Sequence, residues 1–507
     1  MVAEEMRIAI AGIKRGEGIL GKARTRKCLN IVRNRFIRPN IKPIPNMKTN
    51  IPNIKRIPFQ PVAGALAVIS LCCAASAQES YYWRGENWNG DYKTNDACWY
   101  ANPEGTELRD SPPSSTSDLI FDANNTGMAH ARLDQNRAGL AVNSVTATVA
   151  TEINMSNSMT VLNDWSSYVS ADTKYSPSYD ADLIAGKSLR IVAGNVNFLT
   201  VNGGMELSTD KYFASRFRLG ISGGLKDFRL AIGGALSFVK NGVDAVGYHA
   251  FDMIASDSNT GAAFALDLGG LRSSGKAVYM TTANSGTVGV NFNDNSSGAF
   301  AGGSFEGVFA TESGVSSQLN IAMNGSGRQE MTIYKSANGS LHGFESDLDG
   351  KADMAIGSLA VNSGEFIMNT EVAVENLYLS GGKLKFSSAE KVGGMTIDGG
   401  TLLFGGTIRT GDLTVAAYSA DIVFSAEDLA AHEITVFEFD YLTDDFDANS
   451  VFSAYDESGM KLGGRFELIG EAGGAGSLVY SVPEPSAIAA LIGAAALMFV
   501  AALRRRR

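Results

Sequence analysis

The sequence predicts an all-β protein, and its most specific fold prediction is a right-handed parallel β-helix, or solenoid. Two observations support this. The chain has 56 glycines but only 12 prolines, and short runs of Val, Ile and Leu alternate with Thr and Ser, which is typical of strands joined by tight turns. Three similar segments also follow one another at a step of 18 residues, namely residues 359–368, 377–386 and 395–404. A fixed step of this kind is the signature of a repeat architecture.

Each segment reads apolar-x-apolar, a glycine corner, then apolar-x-apolar. The corners end at Gly364, Gly382 and Gly400, and Leu413 and Val415 continue the step once more. Alternate side chains of a strand point to one face, so each unit has an apolar face that only neighbouring units can bury. Related segments begin at Leu189, Leu199 and Leu219, and the predicted solenoid therefore covers residues 123–480.

An antiparallel sandwich or meander is the alternative. Residues 380–382 and 398–400 could form hairpin turns between the same alternating strands, although the fixed step favours the solenoid. Residues from about 240 to 355 are less regular and rich in Asn, Ser and Gly, which predicts longer loops there.

Residues 78–122 differ from the repeats because they contain three of the chain's four tryptophans, Trp83, Trp88 and Trp99. Bulky rings can cover the open apolar end of a solenoid, so we expect an aromatic amino-terminal cap. Alternatively, exposed rings would form a platform that stacks on sugars. With the prolines at 112–113 and the strand-like residues 118–122, this segment resembles the opening of autotransporter-associated β-strand repeat proteins, which implies that a β-helix begins here.

The amino terminus predicts export. Residues 47–56 are basic, residues 62–75 are apolar or small, and Ala75-Ser76-Ala77 has the small-x-small pattern of a cleavage site. Residues 47–77 are therefore interpreted as a signal peptide, removed to leave Gln78 first. Residues 1–46 are basic, and we interpret them as an extension from a start codon assigned too early.

The carboxyl terminus has three distinct parts. Val482, Pro483, Glu484, Pro485 and Ser486 precede an uncharged run at 487–503, and Arg504, Arg505, Arg506 and Arg507 follow it. At about 1.5 Å per residue the run would span about 25 Å as a helix, just enough to cross a bilayer. The arginines would stop transfer and stay on the cytoplasmic side.

This order of parts over residues 481–507 resembles the PEP-CTERM sorting signal of Gram-negative bacteria that make extracellular polysaccharide. The resemblance implies processing by exosortase, a membrane-embedded cysteine protease-transpeptidase, on the way to the cell surface or matrix. The expected partners are the Sec export machinery, signal peptidase, exosortase and the membrane, with exopolysaccharide as a further candidate.

Charge excludes one class of partner. Residues 78–503 contain 25 basic and 50 acidic residues, a net charge of −25, which would repel nucleic acid. We therefore expect no binding of DNA or RNA.

The sequence offers no catalytic constellation, and no cofactor is expected. The four histidines are scattered along the chain without the short spacing of a zinc site. Asp347, Asp349 and Asp353 surround a glycine and resemble part of a calcium loop, but the closing Glu of a full loop is missing. This is a weak calcium candidate.

Together these features predict a noncatalytic, exported surface or matrix protein with a structural or adhesin-like role. It would be held in the inner membrane during transit and then reach the cell surface or matrix. The alternative is a β-helical polysaccharide-active enzyme or glycan-binding protein that uses the same sorting route.

Overall fold

The all-β prediction is confirmed by a computed structural model. It describes residues 78–84, 98–122, 130–169, 187–194, 198–210, 215–221, 227–241, 249–255, 261–274, 278–283, 285–312, 314, 316–336, 351–416 and 419–482, all within the compact unit Ser76–Arg507. These residues form 34 strands, one 3-10 helix and one short α-helix. The predicted extension at 1–46, the signal peptide at 47–77 and the run at 487–503 lie outside the described residues.

In chain order, the first seventeen strands are β1 (Glu79–Trp83), β2 (Trp99–Tyr100), β3 (Ser117–Phe121), β4 (His130–Gln135), β5 (Leu140–Val142), β6 (Ser144–Ala147), β7 (Ala150–Met155), β8 (Met159–Val161), β9 (Trp165–Val169), β10 (Lys187–Ala193), β11 (Phe198–Val201), β12 (Met205–Asp210), β13 (Ser215–Ile221), β14 (Asp227–Asn241), β15 (His249–Ala255), β16 (Ala262–Ser273) and β17 (Val278–Ala283).

The remaining strands are β18 (Ser285–Phe292), β19 (Gly303–Glu312), β20 (Gln318–Met323), β21 (Arg328–Ile333), β22 (Lys351–Asp353), β23 (Ala355–Val361), β24 (Glu365–Thr370), β25 (Asn376–Leu379), β26 (Lys383–Ser388), β27 (Val392–Ile397), β28 (Thr401–Leu403), β29 (Ile408–Val415), β30 (Ala420–Phe424), β31 (Glu433–Leu442), β32 (Phe452–Asp456), β33 (Arg465–Ile469) and β34 (Gly476–Ser481). The 3-10 helix is Asp428–Ala430 and α1 is Ala448–Val451.

The chain alternates between two large sheets in the region of the 18-residue step. In the first sheet β23, β25, β27 and β29 pair in parallel, with Leu359 opposite Leu377, Leu377 opposite Met395 and Met395 opposite Leu413. In the second sheet β24, β26, β28 and β30 pair in parallel in the same way. The predicted step is therefore the distance along the chain between paired strands.

The glycine corners are not hairpin turns. Gly382 joins β25 to β26 and Gly400 joins β27 to β28, and each corner connects strands of different sheets. Both glycines have positive φ, 63° and 79°, which glycine adopts without the penalty that a side chain would bring. The antiparallel alternative is thus wrong at these two corners.

In the amino-terminal part of the described chain, the first sheet contains an additional ladder of paired strands. There the first sheet has one parallel ladder through β5, β8 and β11 and a second through β3, β6, β9 and β12. The long strands β14 and β16 take part in both ladders, and β18 continues only the first. Along the described chain, two strands of the first sheet therefore separate successive strands of the second sheet from β4 to β13, and one long strand does so from β13 to β17.

Apolar side chains fill the space between the sheets, since strands such as β20 and β24 alternate buried and half-buried positions. Strand pairing at the two ends of the described chain differs from the parallel pairing in the middle. At the amino end β2 pairs antiparallel with β1. At the carboxyl end β34 pairs antiparallel with both β31 and β33, and the Tyr480 ring stacks on Phe424 at 4.9 Å. Antiparallel pairing thus occurs at both ends of the described chain, where aromatic side chains are buried.

Candidate functional site

The predicted sorting sites adjoin the folded strands. Strand β1 begins at Glu79, two residues after the predicted cleavage site, and Gln78 is exposed. Strand β34 ends at Ser481, and the Val482 N–H donates to the His432 carbonyl at 3.0 Å. The cleavage residues Ala75 and Ala77, the motif residues Pro483, Glu484, Pro485 and Ser486, and Arg504, Arg505, Arg506 and Arg507 lie outside the described residues.

In the described part of the chain, no helix has the length and apolar character needed to cross a membrane. The run at 487–503 lies beyond that part, so the predicted membrane helix stays a prediction.

Two of the three predicted platform tryptophans are buried. Trp83 is 3% exposed and Trp99 is 1% exposed, and their ring centroids are 4.8 Å apart. Both also pack against Phe121 at 6.5 and 6.1 Å. Buried rings offer no face to a sugar, so Trp83 and Trp99 do not support the platform, and Trp88 lies outside the described residues. The packing of these rings at the first strands is what an end cap requires.

The weak calcium candidate is described only at its last residue. Asp353 ends β22, and its Oδ1 accepts the Ser336 N–H at 2.7 Å. The neighbouring Lys335 donates to Glu390 at 2.5 Å, and this hydrogen bond raises the pKa of Lys335, with the charges of Asp353 and Glu371 acting in the same direction. Asp353 thus already lies near an ammonium group. No group of three or more metal-ligating side chains occurs among the described residues, while Asp347 and Asp349 lie outside them.

Tyr334 lies near Glu371 as well, and near a second carboxylate, Glu306. Its hydroxyl donates to Glu306 Oε2 at 3.2 Å. Burial raises the pKa of Tyr334 to about 12, and the nearby charges of Glu306 and Glu371 add to this effect. A phenolate beside carboxylates would be repelled, so the hydroxyl stays neutral at physiological pH and serves as a hydrogen-bond donor.

A groove crosses the outer face of the first sheet, from β11 to β20. It consists of two adjoining depressions of about 500 and 670 Å³ that share Thr200, Arg229 and Ala231. Strand register explains the groove. One outward row runs across Phe198, Arg229, Ala265 and Gly289, and the next across Thr200, Ala231, Asp267 and Asn291. Small side chains at Ala231, Ala263 and Ala265 leave space that larger side chains would fill.

Polar side chains form one wall of the groove. Asp267 Oδ1 accepts from Asn291 Nδ2 at 2.9 Å, and Asp267 Oδ2 pairs with the Arg229 guanidinium. The Arg229 side chain is 66% exposed, whereas Asp267 is 15% exposed. Asp267 thus holds an amide and a guanidinium at the surface, and both remain accessible to a ligand.

Residues 293–302, between β18 and β19, form the rim. Asn295 Oδ1 accepts the Ser297 N–H at 3.0 Å and the Ala299 N–H at 2.9 Å, which folds the rim back on itself. Phe300 packs against the core and over Gly325 and Gly327, where an added Cβ would lie 2.4 and 2.5 Å from its ring atoms. The rim is therefore held in place without a ligand.

The sequence predicted longer loops in this region, but it did not identify Arg229, Asp267 and Asn291 as a group. They are 38 and 24 residues apart, and no fixed step marks them as neighbours. The available signal was the polar run Asn293-Asp294-Asn295-Ser296 directly after an alternating strand, which marks the rim but not the wall.

Searches of protein-family models, curated proteins and solved structures found no match to this chain.

Proposed function

We propose that this chain is an exported, noncatalytic protein of the cell surface or extracellular matrix, sorted by an exosortase-type enzyme. The supporting observation is the position of the folded strands relative to the two predicted signals. Strand β1 starts two residues after Ala77, and β34 ends two residues before Pro483. Removal of both signals would therefore leave every described strand intact.

The proposed body is a right-handed parallel β-helix. Parallel pairing of strands one turn apart, continued from β23 to β30 in both sheets, supports it. In a stack of this kind each turn contacts mainly its neighbours, so length can be added without a new core. A stack that can be lengthened in this way suits a structural or adhesin-like role outside the cell.

The proposed route starts with the Sec machinery and signal peptidase. The apolar run at 487–503 then holds the chain in the inner membrane while exosortase reads Pro483-Glu484-Pro485. Since Val482 is hydrogen-bonded to His432, the motif begins next to a folded strand. The enzyme would therefore meet the body and the motif together.

Replacement of Pro483, Glu484 and Pro485 by alanine tests the sorting proposal. We expect the variant to accumulate in the membrane fraction at its unprocessed size, while wild type appears at the surface or in the medium at a smaller size. Immunoblots of fractionated cells measure both. Glu457→Ala changes an exposed carboxylate of the body and should behave like wild type. Unchanged size and destination of the triple variant would refute the proposal.

A further inference from the structure

The groove between β11 and β20 has the donors and acceptors that a polyhydroxylated ligand needs. The Asp267 carboxylate accepts hydrogen bonds, and the guanidinium of Arg229 and the amide of Asn291 lie on either side of it. Neighbouring hydroxyls of a sugar ring both donate and accept. A row that alternates acceptors with donors can therefore bind two hydroxyls of one ring at once.

An aromatic ring lies next to Arg229 at the edge of the groove. Phe198 is 42% exposed and is the register partner of Arg229 on the neighbouring strand. The C–H face of a sugar ring packs against an aromatic face. Next to it, Ala263 and Ala265 keep the floor low, so that a flat ring can approach the sheet.

The groove is formed before a ligand arrives. Its floor is made of paired strands, and the Phe300 ring fixes its rim over Gly325 and Gly327. A preformed site loses little conformational entropy on binding. The strands are about 4.8 Å apart, so the four steps from β11 to β20 span about 19 Å, which leaves room for several sugar rings in a row.

Charge selects among sugars. Among the described residues, Asp227, Asp267 and Asp294 line the two depressions together with one arginine, Arg229, and residues 78–503 carry a net charge of −25. An acidic glycan would be repelled. We propose that this groove binds a neutral oligosaccharide. The inference goes beyond the sorting proposal and does not depend on it.

Binding of the purified full chain to an array of neutral and acidic glycans tests the inference, with calorimetric titration of each neutral glycan that binds. We expect saturable binding to at least one neutral oligosaccharide. Arg229→Ala and Asn291→Ala should each raise the Kd by about tenfold or more, which is the effect of losing one hydrogen bond to a charged or well-placed group. Arg409→Ala is the matched control, because Arg409 is also exposed on the first sheet and pairs with Glu438 at 3.1 Å, outside the groove.

A further variant, Phe198→Ala, removes an aromatic ring but no hydrogen bond, and it should weaken binding as well. Circular dichroism and thermal melting check that each variant folds. The inference is overturned if no neutral glycan binds, if an acidic glycan is preferred, or if Arg229→Ala and Phe198→Ala, both folded, bind as tightly as wild type. These results leave the sorting proposal untouched, since that depends on Pro483, Glu484 and Pro485.

Discussion

The carboxyl-terminal turns from β23 to β30 and the amino-terminal turns from β5 to β18 use the same strand pairing but differ in regularity. In the carboxyl-terminal turns, Leu359, Leu377 and Met395 are paired at 18-residue steps. In the amino-terminal turns, the paired residues Ala231, Asp267 and Asn291 are 36 and 24 residues apart. Constant steps leave no residues for loops, whereas variable steps allow loops to emerge beside the sheet.

The outer faces of the two regions differ accordingly. In the second sheet, the regular turns place charged side chains in register, with Glu365 opposite Lys383. The irregular turns place small residues such as Ala265 and Gly289 in register beside Arg229. Long charged side chains cover a sheet, while small ones leave a groove. The irregular half is therefore where we expect recognition, and the regular half is the scaffold.

The largest effect should come from the junction between the two regions, where the second ladder ends. Gln329 is 0% exposed, and its side chain accepts from the Leu271 N–H at 3.1 Å and donates to the Leu271 carbonyl at 2.9 Å. Gln329→Leu leaves both backbone groups of Leu271 buried without these partners. We expect a loss of about 2–5 kcal/mol in the free energy of unfolding, measured by chemical denaturation.

Gln318→Leu is the matched control for that change. Gln318 is half-buried at the surface, and its amide donates to the Glu375 carboxylate at 3.0 Å. Water can replace that bond, so the free energy of unfolding should change by about 0.5 kcal/mol or less. Equal losses in the two variants would show that the junction is no more demanding than the surface.

The next effect is the difference in the cost of alanine between a glycine corner of the regular turns and one of the amino-terminal turns. Gly382 and Gly139 both have φ of 63°, so alanine is strained equally at either position. A Cβ at Gly382 would lie 2.6 Å from the Ser363 backbone of the preceding turn, whereas nothing lies within 4 Å at Gly139. Gly139→Ala should cost about 1–2 kcal/mol from backbone conformation alone. Gly382→Ala should cost about 1–3 kcal/mol more, from overpacking.

Thermal melting of both variants measures that difference. A similar cost at both corners would mean that the preceding strands do not constrain the glycine corners of the regular turns.

Regularity also explains how much the sequence could predict. The 18-residue step identified strand pairs such as Leu377 with Met395 correctly, because the repeat itself encodes the register. The same template matched Leu199 in the first sheet but Leu219 in the second, since without a fixed step alternation does not say which sheet a strand joins. The wall of the groove was missed for the same reason. The carboxyl-terminal cap was missed because Phe424 and Tyr480 meet only through antiparallel pairing of β31 with β34.

A smaller effect is expected on the free energy of unfolding at alkaline pH, through Tyr334 near the junction. Burial raises the pKa of Tyr334 from the ordinary tyrosine value of 10.0 to about 12 in the folded chain. Below pH 10 the hydroxyl is protonated in both the folded and the unfolded chain, so its stabilising contribution is fully present. Between about pH 10 and 12 the unfolded chain loses the proton first, which favours unfolding. Stability should therefore fall as the pH rises through this window.

Tyr334→Phe removes the titrating group and should flatten that part of the stability–pH curve, measured by chemical denaturation from pH 9 to 12. Tyr378→Phe, at an exposed tyrosine of the regular turns, is the control and should leave the slope as it is in wild type. A slope that stays the same in Tyr334→Phe would contradict the role assigned to Glu306 and burial.

The smallest effect is expected at an exposed ion pair that joins the regular turns to β31. Lys391 pairs with Asp440, and their side chains are 46% and 71% exposed. Exposed pairs contribute less than about 1 kcal/mol because solvent screens the charges and ordering two side chains costs entropy. Lys391→Ala should therefore change the free energy of unfolding by less than about 1 kcal/mol, and added salt should reduce the difference further. A larger loss that persists in high salt would mean that the charged face of the regular turns, and not only its corners and core, holds the scaffold together.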